Sequence, residues 1–158
     1  MTPTGEPQHR RILVVDDDRA IPELVSTALT LAGHHVFTAR DGRAALQRIA
    51  TLPMHAMVLD LNMPILDGFG VLEALAGQGM KPPPTLVLTA RNQTSDVQKA
   101  LQLGASDYLA KPFQTNQLLA RVKRLLRPKA LETSVDYEVS EVDRLLNDAT
   151  DSRSVTGI

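Results

Sequence analysis

The chain has 158 residues, of which 43% are hydrophobic and 22% charged, and this composition is ordinary for a globular protein. Its formal net charge of −1 gives no reason to expect nucleic acid as a partner. It contains no cysteine, which excludes disulfides, thiol nucleophiles and cysteine metal ligands. No apolar run approaches the ~18 residues of a membrane span, and residues 1–11 lack the core of a signal peptide, so we expect a cytoplasmic protein without membrane association.

Five short apolar runs alternate with five amphipathic segments along the chain. The runs are continuous in hydrophobicity, which is typical of strands buried on both faces. The predicted strands are 12–15, 35–39, 56–60, 85–89 and 107–110. The predicted helices begin near Asp18, Asp41, Gly68, Thr94 and Gln114 and end near Gly33, Pro53, Leu75, Gly104 and Leu126. This alternation predicts an α/β fold in which a parallel sheet is covered on both sides.

Charge divides the chain near its end. Residues 1–128 carry 14 basic and 11 acidic side chains, whereas residues 129–158 carry 3 basic and 7 acidic ones. We therefore predict a disordered lead-in over 1–10, a folded domain over 11–127 and a mostly disordered acidic tail over 128–158. Within the folded domain, the last helix has a basic face that we expect to be solvated, formed by Arg121, Lys123, Arg124 and Arg127.

Polar side chains stand at the ends of four of the five predicted strands. They are Asp16 and Asp17 after the first strand, Asp60 on the third, Thr89 on the fourth and Lys111 after the fifth. Because all strands of a parallel sheet point the same way, these groups are expected to meet at one edge, where open α/β sheets bind ligands.

These groups together suit phosphoryl transfer. Three carboxylates in one place repel each other unless a cation lies among them, and ligands that are all oxygen favour Mg²⁺. Lys111 adds a positive charge and Thr89 a hydroxyl donor, and a carboxylate can attack phosphorus in line. Taken singly, the acids are ordinary caps or turn formers, Thr89 an ordinary strand-end hydroxyl and Lys111 an ordinary surface lysine. Their joint placement favours the site.

Several motifs make the chain resemble bacterial response-regulator receiver domains, and in particular the stand-alone chemotaxis regulator. The resemblance covers roughly residues 10–127. The motifs that carry it are Ile12-Leu13-Val14-Val15-Asp16-Asp17, Leu59-Asp60-Leu61-Asn62-Met63-Pro64 with Asp67-Gly68, Leu88-Thr89-Ala90, Gly104-Ala105-Ser106-Asp107-Tyr108 and Lys111-Pro112-Phe113. The resemblance implies a doubly wound, flavodoxin-like sheet with the strand order 2-1-3-4-5.

The resemblance also implies a role for each residue of the acidic site. Asp60 would be the phosphoacceptor, taking a phosphoryl group from a phosphohistidine on a sensor histidine kinase or a histidine phosphotransfer protein. Asp17, Asp60 and the backbone carbonyl of Asn62 would bind Mg²⁺, and Asp16 would act through a metal-bound water. Lys111 would bond the phosphoryl oxygen.

Two further residues would form a switch according to the resemblance. Thr89 would swing toward the phosphoryl oxygen, and Tyr108 would move inward behind it. Their movement would reshape the face built by the fourth helix, fifth strand and fifth helix, where a downstream protein would bind. From the residues alone, Tyr108 is equally well an ordinary half-buried strand aromatic.

The segment after Pro128 bears on the mode of signalling. We expect it to be too short for a DNA-binding output domain or an enzymatic module. Apolar residues at helical spacing, with Ser140 as a cap, predict a short helix near 139–147. That segment loosely resembles the peptide of flagellar switch proteins that binds phosphorylated chemotaxis regulators.

The function predicted from the sequence is that of a phosphorylation-activated response regulator without a DNA-binding output domain, which signals by binding a partner protein or by passing its phosphoryl group onward in a relay. It would phosphorylate itself from a phosphohistidine donor and dephosphorylate itself, without being an enzyme otherwise, and it would be a monomer or a phosphorylation-dependent homodimer. Two alternatives stay open. One is a receiver-like interaction module that works without phosphate, and the other is a Mg²⁺-dependent phosphatase with Asp16 as nucleophile.

Overall fold

The computed structural model describes residues 9–90 and 94–127. The strands are β1 Arg11–Val15, β2 His35–Ala39, β3 Ala56–Asp60, β4 Thr85–Thr89 and β5 Asp107–Ala110. The helices are α1 Ala20–Leu31, α2 Gly42–Thr51, α3 Gly68–Gly77, α4 Thr94–Gln102 and α5 Thr115–Leu125. The five strands form one parallel sheet in the order β2-β1-β3-β4-β5, so the predicted fold class and strand order are confirmed.

The sheet separates two hydrophobic layers, because successive side chains of a strand point to opposite faces. In β1, Leu13 and Val15 pack with residues of α2, α3 and α4. Ile12 and Val14 pack on the opposite face with residues of α1 and α5. All residues of β3 and β4 are buried, as the continuous apolar runs predict, and burying each such aliphatic side chain contributes roughly 1.5–3 kcal/mol to folding.

Aspartates cap two of the helices, α2 and α3, at the end of the sheet where the strands end. Asp41 accepts the backbone N–H of Ala44 at 2.8 Å. Asp67 accepts the N–H of Gly70 at the same distance. The N-cap residue of α1 is Arg19, which makes no side-chain capping bond; Asp18, one residue earlier, accepts the N–H of Ala20 at 3.0 Å. These bonds satisfy N–H groups that have no partner inside the helix, which explains where the helices start.

One predicted helix end was wrong. Helix α3 continues past Leu75 to Gly77, and Gly79, with φ +69°, is the residue that ends it. The N–H of Gly79 bonds to the carbonyl of Ala76 at 3.0 Å, and the N–H of Met80 bonds to that of Leu75 at 2.9 Å. This is the glycine-terminated helix end in which a left-handed residue follows the last turn.

The predicted solvated face of α5 needs a correction at Arg121. Its guanidinium lies 2.9 Å from Oδ1 and 3.2 Å from Oδ2 of Asp107, the first residue of β5. Asp107 is only 3% exposed, and a buried carboxylate requires a charged or hydrogen-bonding partner. Lys123, Arg124 and Arg127 are exposed as expected.

Other predictions concern residues that the structure does not describe. The lead-in lies outside the described residues over 1–8, and the acidic tail with its helix near 139–147 lies outside them over 128–158. The domain limits therefore stay predictions. Within 9–90 and 94–127, no helix is both long enough and apolar enough to cross a membrane.

Candidate functional site

The ends of the two central strands bring three carboxylates together. Val15 of β1 pairs with Leu59 of β3, so Asp16 and Asp60 leave the sheet side by side. One carboxylate oxygen from each of Asp16, Asp17 and Asp60 lies within 4.8 Å of the others. Asp16 and Asp60 are 1% and 5% exposed, whereas Asp17 lies at the surface. The site is therefore a small acidic cleft with one open side.

Lys111 supplies the positive charge that the carboxylates require. Its Nζ lies 3.1 Å from Oδ2 of Asp16 and 3.4 Å from Oδ2 of Asp60. Its backbone N–H donates to the carbonyl of Thr89 at 2.7 Å, which fixes the lysine just beyond the end of β4. Within residues 9–90 and 94–127, Lys111 therefore pairs with the two buried carboxylates of the cluster.

Backbone N–H groups hold the other oxygens of the two buried carboxylates. The N–H of Asn62 donates to Oδ1 of Asp60 at 3.1 Å. The N–H of Asp18 donates to Oδ1 of Asp16 at 3.0 Å. Both bonds reach back two residues, a turn that aspartate side chains commonly form. Asp18, near which the first helix was predicted to begin, therefore also contacts the acidic site through its backbone N–H.

Burial and charge act in opposite directions on the ionisation of the site. Burial raises the pKa of Asp60 to about 6; the negative charge of Asp16 also raises it, while the Asn62 N–H and Lys111 lower it. For Lys111, burial lowers the pKa, but the bonds to Asp16 and Asp60 outweigh burial and the pKa is raised overall. The lysine therefore stays a cation throughout the physiological range, while Asp60 is mainly ionised near pH 7.

The donor set fits a hard divalent cation. Asp16, Asp17 and Asp60 offer only oxygen, and no histidine or cysteine contributes to this cluster. Mg²⁺ is bound by one or two carboxylates and keeps several waters, which a cleft with one exposed aspartate permits. The backbone carbonyl of Asn62 was predicted as a further ligand. The N–H of the same residue donates to Asp60, so Asn62 lies beside the cluster, and the role of its carbonyl stays a prediction.

The two predicted switch residues occupy different positions in their strands. Thr89 is the last residue of β4, is 3% exposed, and its hydroxyl donates to the carbonyl of Ala90 at 3.3 Å. Tyr108 lies within β5, half-buried, and packs against the hydrophobic layer shared with α2, α3 and α4. The strand ends therefore bring Thr89 near Lys111, while Tyr108 belongs to the core beside the site. The switch itself stays a prediction.

Comparison with known proteins identifies the family. The family described as the response regulator receiver domain matches residues 12–123. The response regulator MprA of Mycolicibacterium vanbaalenii is 50% identical over 117 residues, which are 74% of this chain and 50% of that protein. The chain thus spans about half the length of the curated relatives it matches.

Solved structures agree with this result. The receiver domain of the Francisella response regulator 1452 has a TM-score of 0.70 and 35% identity over 75% of this chain and 97% of that one. The chemotaxis response regulator CheY4 of Vibrio cholerae also has a TM-score of 0.70 and 35% identity, and the match covers 75% of this chain and 100% of that one. From the matched residues, the strand order and the acidic site at the strand ends, we conclude that this chain belongs to the response regulator receiver domain family.

Proposed function

We propose that the chain is a phosphoacceptor in two-component signalling, in which Asp60 takes a phosphoryl group from a phosphohistidine. The donor would be a sensor histidine kinase or a histidine phosphotransfer protein. The observation that carries this proposal is the placement of Asp60 beside both a second carboxylate and the Lys111 ammonium group. A carboxylate that accepts a phosphoryl group needs nearby positive charge to neutralise the incoming oxygens.

Among the buried carboxylates, Asp60 is better suited than Asp16 to be the nucleophile. The Asp60 side chain is 7% exposed, whereas that of Asp16 is 1% exposed. The ion pair with Lys111 is also shorter for Asp16, at 3.1 Å against 3.4 Å. Asp16 is therefore the more enclosed and more strongly paired acid, which suits a supporting role.

The reaction is an in-line displacement at phosphorus. A carboxylate oxygen of Asp60 forms the new P–O bond while the P–N bond of phosphohistidine breaks, and the bonding electron pair stays on the imidazole nitrogen. Lys111 donates a hydrogen bond to a phosphoryl oxygen and stabilises the negative charge there. Asp16, Asp17 and Asp60 would hold Mg²⁺, which supplies further charge neutralisation when bound. The product is an acyl phosphate on Asp60.

The proposal extends to how the signal leaves the domain. We propose that the chain phosphorylates and dephosphorylates itself and has no other catalytic activity. The change of charge when Asp60 is phosphorylated would bias the face of α4, β5 and α5 toward binding a downstream protein. The chain itself would be a monomer or a phosphorylation-dependent homodimer. Thr89 and Tyr108 would couple the two sites by changing their side-chain positions.

The test is phosphorylation by acetyl phosphate with and without Mg²⁺, read by intact mass. The wild type should gain one phosphoryl group only with Mg²⁺, and Asp60→Asn should gain none. Glu73→Gln is the matched control, because it makes the same carboxylate-to-amide change at an exposed position of α3 away from the site, and it should behave as the wild type.

Other results would favour the alternatives. A gain that persists in Asp60→Asn but disappears in Asp16→Asn would move the nucleophile and support a phosphatase. No gain in the folded wild type would support a binding module that works without phosphate.

A further inference from the structure

Helix α2 begins in direct contact with the loop that follows Asp60. The first residue of α2 is Gly42, which is buried, and its N–H donates to the carbonyl of Leu66 at 3.0 Å. A Cβ atom at this position would overlap that same carbonyl oxygen and would lie 2.8 Å from Cγ2 of Val71. Only glycine therefore lets α2 approach the loop this closely without displacing backbone atoms.

The contacted loop runs from Leu61 to Gly68 and is closed at its base. The N–H of Gly68 bonds to the carbonyl of Leu61 at 3.2 Å. At its tip, the Leu66 side chain is enclosed by Gly42 on one side and Gly70 on the other, since a Cβ atom on Gly70 would overlap the end of the leucine side chain. The loop is thus held at two points, its base on β3 and its tip on α2.

The conformation of this loop is not one that its own sequence favours. Ile65 has φ +71°, and the N–H of the next residue, Leu66, bonds to the carbonyl of Pro64 at 2.8 Å in a three-residue turn. A β-branched residue rarely adopts positive φ, so neighbouring contacts must hold it there. The bond from Gly42 to Leu66 is the contact immediately beside that turn.

We infer that Gly42 is a positioning residue for the acidic site, acting through the loop that carries Asn62. This inference rests on the proposed function, because it concerns the same Mg²⁺ and phosphoryl site. Asn62 lies in the loop and donates to Asp60, so its N–H and its carbonyl are placed correctly only while the tip of the loop is held against α2. Displacement of the tip moves this residue relative to the carboxylates.

The test compares two alanine substitutions in helices. Gly42→Ala adds a Cβ atom that overlaps the loop, whereas Gly77→Ala adds one with no neighbour within 4 Å and is the matched control. Mg²⁺ affinity is measured by isothermal titration calorimetry, and the Asn62 amide resonance is followed by NMR. Gly42→Ala should weaken Mg²⁺ binding about 10-fold or more and shift this resonance, as loss of a supporting contact does at metal sites. Gly77→Ala should match the wild type in both.

A third variant, Ile49→Ala, distinguishes a positioning role of Gly42 from a purely structural one. It truncates a buried side chain near the other end of the same helix. This variant should lose stability and keep its Mg²⁺ affinity. If Gly42→Ala behaves like Ile49→Ala, the positioning role is overturned. If Gly42→Ala does not fold, the same measurements on Leu66→Ala decide: weaker Mg²⁺ binding supports the inference, and unchanged binding overturns it.

Failure of the proposed function gives a different result. In that case the wild type and Gly77→Ala would themselves neither bind Mg²⁺ nor accept phosphate from acetyl phosphate. If the wild type and Gly77→Ala both bind Mg²⁺ and accept phosphate, and Gly42→Ala binds Mg²⁺ as tightly as they do, only the positioning role fails.

Discussion

Lys111 and Asp16 form an ion pair of 3.1 Å that joins the end of β5 to the end of β1. These two strands are not neighbours, since β3 and β4 lie between them in the sheet. The lysine therefore reaches across the strand that carries Asp60, and it contacts that carboxylate at 3.4 Å on the way. Under the proposed function, the same cation would serve both the stability of the acidic cluster and the phosphoryl transfer.

Replacing Lys111 by methionine should expose this double role. Without the ammonium group, Asp16 and Asp60 remain buried together and unpaired, so the metal-free variant should lose about 2 kcal/mol of stability, the order of a charged hydrogen bond. Urea denaturation in the presence of EDTA measures the loss. Lys123→Met, an exposed change on α5, should cost nothing measurable. A Lys111→Met protein as stable as the wild type would contradict the ion pair.

The raised pKa of Asp60 predicts a specific dependence of stability on pH. Because the pKa rises from 3.8 in the unfolded chain to about 6 in the folded one, the stabilising effect of protonation is fully present below pH 4 and is lost as the pH rises through 6. In metal-free protein at pH 7.5, Asp60→Asn should therefore be more stable than the wild type by roughly 2–3 kcal/mol.

This difference should shrink as the pH falls from 7 to 4.5. Denaturant titrations of both proteins at several pH values measure it directly. A gap between the two proteins that stays constant over this range would mean that Asp60 titrates at its ordinary pKa.

The Arg121–Asp107 pair predicts a loss of stability at a distance from the site. Arg121→Met leaves the buried Asp107 carboxylate without its cation, and breaking a buried pair costs about 3 kcal/mol or more. Urea unfolding should register this, while Mg²⁺-dependent phosphorylation at 25 °C should stay close to that of the wild type. Arg124→Met removes the same side chain from an exposed position of α5 and should have little effect on either measurement.

The positive φ of Ile65 predicts that the protein would be more stable with glycine at this position. Ile65 is 76% exposed, so its removal sacrifices little buried surface, and glycine adopts φ +71° without a steric penalty. Ile65→Gly should gain about 1 kcal/mol, the size of the penalty for an L-residue in the left-handed region. Ile65→Ala is the control and should gain little, because alanine retains the Cβ atom. Equal stability of the glycine and alanine variants would show that the turn is not strained.

The sequence predicted most of the fold because its signals were local. Continuous aliphatic runs such as 85–89 identify fully buried strands, and four of the five strands have the predicted bounds. Convergence of Asp16, Asp60 and Lys111 follows from the parallel sheet alone, since every strand of such a sheet ends at the same edge.

The features that were missed depend on contacts between distant elements. Helical spacing indicates that Arg121 shares a face with other basic residues, but it does not reveal that Asp107 of another element meets that face. The turn at Ile65 contradicts the local preference of isoleucine, so only the packing of Leu66 against Gly42 accounts for it. Neither feature has a signal within a short stretch of sequence.

The two ion pairs of β5 have a mechanical consequence for signal output. The strand is only four residues long, with Asp107 tied to α5 at its start and Lys111, just beyond its end, tied to β1. These ion pairs restrain both ends of the strand, so under the proposed function we expect Tyr108 to respond to phosphorylation of Asp60 by a change of side-chain torsion angles rather than by a shift of its backbone. The signal would then reach the face of α4, β5 and α5 with the arrangement of the strands unchanged.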